Sequence, residues 1–379
     1  MDEQVTDDIF FYMLYAAVAT LSMTACAYLL WRRGNAFAAE VTSPARLRRW
    51  TAAFFAAMTM SHVWYLPTLF ITTADELRQA NLAGGLLDSV TIFPLAAVVV
   101  LTMLQDRRRQ LWPVCMMTAP LVAGLSWCLA NDTDSLMPVL RMYLLLAGVA
   151  FIIYMVRAVR QYGRWLRDNY ADLEHKEVWQ SFVVLAAILL MFGFYATGLG
   201  GITYEYIIQL SGMVLTCYLL WRVETLSDLS DVSATTALQP EPAVQEEETV
   251  STAPPQDDDS TPMAPDNTSP LLQEHCIDVQ LYLQHNLTLQ QLANAIGINR
   301  YYLSQYFSRR GTTYNAYING LRISHFVGLY REATASHRPF TTKQLAHESG
   351  YRSYSTFSLA FKQHMGQNVT AWMHEQESK

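Results

Sequence analysis

Thr288-Leu-Gln-Gln-Leu-Ala-Asn-Ala-Ile-Gly297 recurs in the same chain as Thr341-Thr-Lys-Gln-Leu-Ala-His-Glu-Ser-Gly350, and both stretches fit the pattern TxxQLAxxxG. Each copy opens with Thr followed three residues later by Gln. That is the capping-box signature, in which hydroxyl and amide reciprocally satisfy free N–H groups at a helix start. Each copy closes on a glycine, which tolerates the left-handed backbone that ends a helix. A second helix follows each glycine, with Leu303 and Phe307 as apolar anchors in the first copy and Phe357 and Phe361 in the second. Helix, glycine turn and helix make the helix-turn-helix arrangement, whose second helix fits the DNA major groove. One such pattern suits any helical hairpin. Two in register predict two reading heads for double-stranded DNA, over 288–309 and 341–364.

The outward faces follow from a helical period of about 100° per residue. Opposite Leu303 and Phe307 lie Tyr301 and Gln305, with Ser304 on the flank; opposite Phe357 and Phe361 lie Ser355 and Leu359, with Thr356 on the flank. These six are the candidate base readers. Glutamine pairs with adenine through two hydrogen bonds, Tyr301 and Leu359 suit a thymine methyl, and hydroxyls discriminate less. Arg300, Arg309, Arg310, Lys343, Arg352 and Lys362 stand near turns and helix ends, where phosphates pass. Such contacts set affinity and salt dependence rather than sequence choice. Arg322 reads instead as a structural residue.

Charge divides the chain in the same place. Residues 271–379 carry 10 Lys+Arg against 6 Asp+Glu, residues 226–270 carry 0 against 10, and residues 1–225 carry 16 against 17. An overall net charge of -7 therefore conceals a basic C-terminal domain suited to a polyanion.

The stretch Leu287 to Met373 resembles the DNA-binding domain of the AraC/XylS family of bacterial transcription regulators. The resemblance rests on TLQQLANAIGINRYYLSQYF (288–307), YNAYINGLRI (314–323), QLAHESGYRSYSTFSLAFK (344–362), and the HMG turn (364–366) with Trp372 after it. It implies two homeodomain-like helix-turn-helix subdomains linked by one long helix, here about 312–334, reading successive major-groove turns, and it selects the same base-reading positions. Phe326 stands where the family usually has a small Ala, Val327 and Gly328 replace polar residues, and Val369 replaces a usual proline. These departures imply altered packing within the domain or an exposed apolar contact surface.

Seven apolar runs precede this domain, near 9–31, 50–71, 82–104, 111–130, 136–157, 179–197 and 204–221. About 20 residues at about 1.5 Å each cross a hydrocarbon core, so a seven-helix transmembrane bundle is expected over residues 1–225, multi-pass in the inner membrane of a bacterium. The loops after the first, third and fifth runs hold Arg32, Arg33, Arg46, Arg48 and Arg49, then Arg107 to Arg109, then Arg160, Arg164, Arg167 and Lys176. The N-terminus and the intervening loops, with Asp75, Glu76, Asp132 and Asp134, are acidic. By the positive-inside rule the N-terminus lies outside and everything beyond Arg222 in the cytoplasm.

Ionisable residues inside the runs are costly. His62, Asp88, Arg141 and Glu205 fall in the centre or outer half of their runs. Two readings stand: a pocket for a small-molecule or peptide ligand, or an Asp88–Arg141 ion pair holding two helices together. Residues 226–270, with seven prolines and no basic residue, form an acidic linker too polar to fold, either a solvated spacer or a competitor of DNA for the basic domain.

The five cysteines and nine histidines have no metal-ligand spacing, and no phosphate-binding glycine loop or nucleophile–base motif occurs. No metal, cofactor or enzymatic activity is expected. The expected protein is all-α: a membrane sensor joined to sequence-specific DNA binding. A transporter or other membrane protein whose tail is a regulatory or protein-interaction module is the alternative.

Overall fold

The computed structural model describes residues 2–32, 35–37, 41–195, 201–229 and 268–377, so Arg33 and most of the 226–270 stretch lie outside the described residues. Among the described residues the elements are helical, and the one β feature is an isolated antiparallel bridge between Tyr170 and Thr288. The chain divides into two compact units, Met1–Tyr162 with Val178–Ala237, and Gly163–Glu177 with Leu238–Lys379.

The first unit contains α1 Asp2–Trp31, α2 Ala45–Tyr65, α3 Ala74–Val90, α4 Ile92–Met103, α5 Trp112–Ala130, α6 up to Tyr162 of Met137–Asn169, α7 Trp179–Tyr195 and α8 Gly201–Thr225. Five stretches are long and apolar enough to cross a membrane: Ile9–Trp31, Ala74–Met103, Trp112–Ala130, Met137–Asn169 and Glu205–Thr225. The other two expected spans are helical but fall short of that measure. α2 begins with Arg46, Arg48 and Arg49, and Pro67 closes it in a single 3-10 turn, Leu66–Leu69. In α7 the apolar stretch is Trp179–Ile188. The third run is interrupted at Thr91, between α3 and α4, just ahead of Pro94, because proline clashes with the preceding turn and donates no backbone hydrogen bond. Pro120 lies inside α5 without ending it.

α1 packs on α2 and α8, α2 on α4, and α3 on α5. Gly84 lets α3 approach closely, since a Cβ there would lie 2.4 Å from the ring of Tyr65. Polar pairs tie the helix ends. Buried Glu224 on α8 accepts from Arg48 on α2 and from the Tyr28 hydroxyl on α1 (3.3 Å). Arg78 pairs with Asp132 and, at 3.8 Å, with Asp134.

The second unit contains α9 Thr268–Leu272, α10 Leu289–Ile296, α11 Arg300–Arg309, α12 Tyr314–Ala335, α13 Thr342–Glu348, α14 Tyr354–Met365 and α15 Val369–Glu377. It has two cores. One gathers Leu292, Ala293, Ile296, Leu303, Phe307, Tyr314 and Ile318; the other gathers Ile323, Phe326, Tyr330, Leu345, Phe357, Phe361 and Trp372. α12 serves both, its first half giving Tyr314 and Ile318 to one and its second half giving Phe326 and Tyr330 to the other. Each helix-turn-helix thus owns a core, and α12 is shared between them.

Candidate nucleic-acid interface

Local chemistry sets each turn. In α10 the Thr288 hydroxyl accepts from Gln291 N–H (3.2 Å), and the Gln291 amide oxygen accepts from Thr288 N–H (2.9 Å), a complete capping box. The second copy realises half of the expected box. Thr341 accepts from Gln344 N–H (3.1 Å), but the Gln344 amide donates to Glu348 (2.9 Å). The cause is one turn further on: Glu348 offers a charged acceptor where the first copy has Ala295. Gly297 and Gly350 adopt φ of +73° and +89°. Gly350 is doubly constrained, because a Cβ there would also lie 2.8 Å from the Leu283 backbone.

The second helices are capped by Asn299, which accepts from Tyr301 N–H (2.8 Å), and by Ser353, which accepts from Thr356 N–H (3.2 Å). Leu303, Phe307, Phe357 and Phe361 are at most 2% exposed, and this decides the opposite faces. On α11, Tyr301 is exposed while Ser304 and Gln305 are half-buried; on α14, Ser355 and Leu359 are exposed and Thr356 is half-buried. Leu359, at 58% exposure, is a large apolar side chain left in water. Arg309, Arg310, Lys343, Arg352 and Lys362 are exposed, with the Arg310 guanidinium 4.5 Å from the ring centre of Tyr306.

Arg300 departs from this group. It is only 8% exposed, and its guanidinium donates from Nε (3.1 Å) and Nη2 to the side-chain oxygen of Asn169, so it lies beneath a partner rather than on the surface. Burial pushes its pKa below the usual arginine value, but that value is so high that the charge stays. Lys176, read from sequence only as one of the cations of its loop, is drawn inward as well. It is buried, with its ammonium 5.3 Å from the Tyr170 ring centre. Burial lowers its pKa, Asp172 pulls it back up, and Arg352 adds to the lowering.

The expected polar residues of the membrane runs are only partly brought together. His62 pairs with Gln209 (3.1 Å), and the Tyr15 hydroxyl donates to the His62 carbonyl (2.6 Å). Asp88 accepts from Trp64 (3.2 Å) and also bonds Ser61 and Tyr65. Of the two readings of these residues, the Asp88–Arg141 ion pair does not form: Asp88 turns toward the polar side chains of α2 and Arg141 is exposed near the start of α6. Glu205 is half-buried, one turn before Gln209 on α8.

Residues 292–375 match a family model described as a helix-turn-helix domain. This C-terminal domain is an AraC-type helix-turn-helix domain. No curated protein and no solved structure matches the chain. The match covers less than a quarter of the chain, and it supports the AraC-type domain as that of a DNA-binding transcription regulator. Sequence reasoning missed the segment 163–177, which it used only for its cations although the segment is part of the same unit. The acidic and amide residues Asn169, Asp172 and Glu174 set among those cations are its only local mark.

Proposed function

We propose that this chain is a membrane-anchored transcription regulator, N-terminus outside and AraC-type domain in the cytoplasm of a bacterium, that reads DNA with α11 and α14 and answers a signal received by its membrane helices. The observation that carries the reading is the pair of helix-turn-helix units whose second helices bury their anchors and turn Tyr301, Gln305, Ser355 and Leu359 outward. Ser304 and Thr356 flank these readers, and Arg309, Arg310, Lys343, Arg352 and Lys362 hold phosphates. Arg300 joins them only if Asn169 releases it.

The grouping of helix ends on two sides draws support from which charged groups meet. Arg78 and Asp132, from two loops assigned outside, pair with each other, and Arg48 and Glu224, from two ends assigned inside, do the same. Reporter fusions after Glu76, Asp132 and Lys379 test the orientation: the first two should report an external location and the third a cytoplasmic one, and an external C-terminus would refute the arrangement. The His62 and Asp88 clusters are the proposed seat of the signal, a small-molecule or peptide ligand, with Glu205 near Gln209 and Arg141 standing apart.

Selection of duplexes by the full-length protein tests the DNA reading. Tyr301→Ala and Gln305→Ala should each cost about 1–3 kcal/mol on the selected duplex and relax its sequence at the positions read by α11. Arg309→Ala should instead weaken all duplexes alike and reduce the salt slope by about one. Unchanged selection by both α11 variants would refute the assignment of that helix.

A further inference from the structure

The segment between α6 and α7 is built into the DNA-binding unit. Ala171 is 1% exposed within the first helix-turn-helix core, and its N–H donates to the Leu287 carbonyl (3.2 Å). Asn315 on α12 donates to the carbonyls of Tyr170 (3.1 Å) and Ala171 (2.7 Å), and Asn319 donates to the latter as well (3.3 Å). The bridge between Tyr170 and Thr288 places this segment beside the start of α10. Two further contacts fall on residues assigned to DNA. Asn169 takes the guanidinium of Arg300, and Glu174 accepts from the Thr356 hydroxyl on the reading helix α14 (2.9 Å).

We infer that residues 169–176 are an internal competitor of DNA, holding the AraC-type domain in a state that duplex must displace. The inference rests on the DNA reading above. Its chemistry is substitution. Arg300 spends its donors on an amide oxygen instead of a phosphate, and Thr356 donates to a carboxylate instead of a base or phosphate oxygen. Glu174 sits by the first turn of α14, the positive end of that helix, which favours an anion. A bound carboxylate there repels the phosphates that would approach the same place. Asn169 is also the last residue of α6, and residue 179 begins α7. Whatever shifts either helix therefore acts through the chain on the clamp, and a membrane signal needs no second messenger to reach it. A protein whose competent state is rare binds more weakly by the fraction of molecules in that state.

The test uses full-length protein in nanodiscs and a random-sequence duplex pool about 40 base pairs long, enough for two major-groove turns. Asn169→Ala/Glu174→Ala removes two contacts to the DNA-facing residues without touching those residues. The apparent Kd should fall about tenfold or more, because each bond lost by the closed state shifts the population toward the open one. In the wild type, hydrogen exchange of the peptide covering 169–176 should accelerate when duplex saturates the protein. A double variant that keeps its melting temperature yet binds no tighter than wild type overturns the inference, as does protection of 169–176 that is unchanged at saturation. The exchange measurement stands even if the variant misfolds. Absence of binding by wild type and variant alike would instead remove the DNA reading beneath it.

Discussion

Arg322→Ala should destabilise the C-terminal domain by about 3–5 kcal/mol, seen in the full-length protein as faster proteolysis and lost hydrogen-exchange protection across α10 to α15. Arg322 is 1% exposed in the middle of α12. Its Nε donates to the Tyr282 carbonyl (2.7 Å) and its Nη2 to the Gln284 carbonyl (2.8 Å), while its guanidinium lies 5.4 Å from the Tyr351 ring centre. Truncation leaves two carbonyls without these donors, at about 1–3 kcal/mol each, and opens a cavity besides. Arg322 touches both halves of the domain, since Tyr282 packs in the first core and Tyr351 in the second. The loss should therefore spread over both helix-turn-helix units rather than one. Arg322→Lys keeps the charge but not the fork that reaches two carbonyls, and should recover only part of the loss. A stability within about 1 kcal/mol of wild type for the alanine variant would show that the brace is dispensable.

Phe326→Ala should cost about 3–5 kcal/mol, the range for emptying a fully buried aromatic site. Phe326 is 0% exposed, and its ring centre lies 4.5 Å from Phe357, 5.7 Å from Phe361 and 6.4 Å from Trp372. Each aromatic pair adds about 0.5–1.5 kcal/mol beyond the area it buries. Both α14 anchors lean on this ring, so the variant should also loosen the second reading helix. Its affinity for duplex should drop while α11 keeps its exchange protection. The substitution restores the small residue usual in the AraC/XylS family, and here it should do harm because the neighbours are arranged around a phenyl ring. A cost below about 1 kcal/mol would mean that the cluster collapses to fill the space.

Phe326 also settles how the departures from the family act. Of the two outcomes expected, altered packing or an exposed apolar patch, Phe326 takes the first, and Val369 is likewise buried in the second core. Gly328 is exposed on α12.

Much of the DNA-binding unit was legible because its signals are local. A hydroxyl and a backbone N–H three residues apart make a cap, a glycine makes a left-handed turn, and anchors one turn apart mark a buried face, so α10, α11, α13 and α14 lie where their residues place them. Of the seven apolar runs, five are helices long and apolar enough to cross a membrane, while the run closed at Pro67 and the one starting at Trp179 fall short and the third breaks just ahead of Pro94. What tertiary structure alone decided involves partners far apart in the chain. Arg300 meets Asn169 across 131 positions and Thr356 meets Glu174 across 182. Asp88 chose Trp64 over Arg141. Periodicity and capping rules act over a helical turn or two and carry no information about which distant side chain arrives. That selection comes from packing, which here set Asn169 and Glu174, from a segment used only for its cations, against residues that helical faces and turn positions had given to DNA.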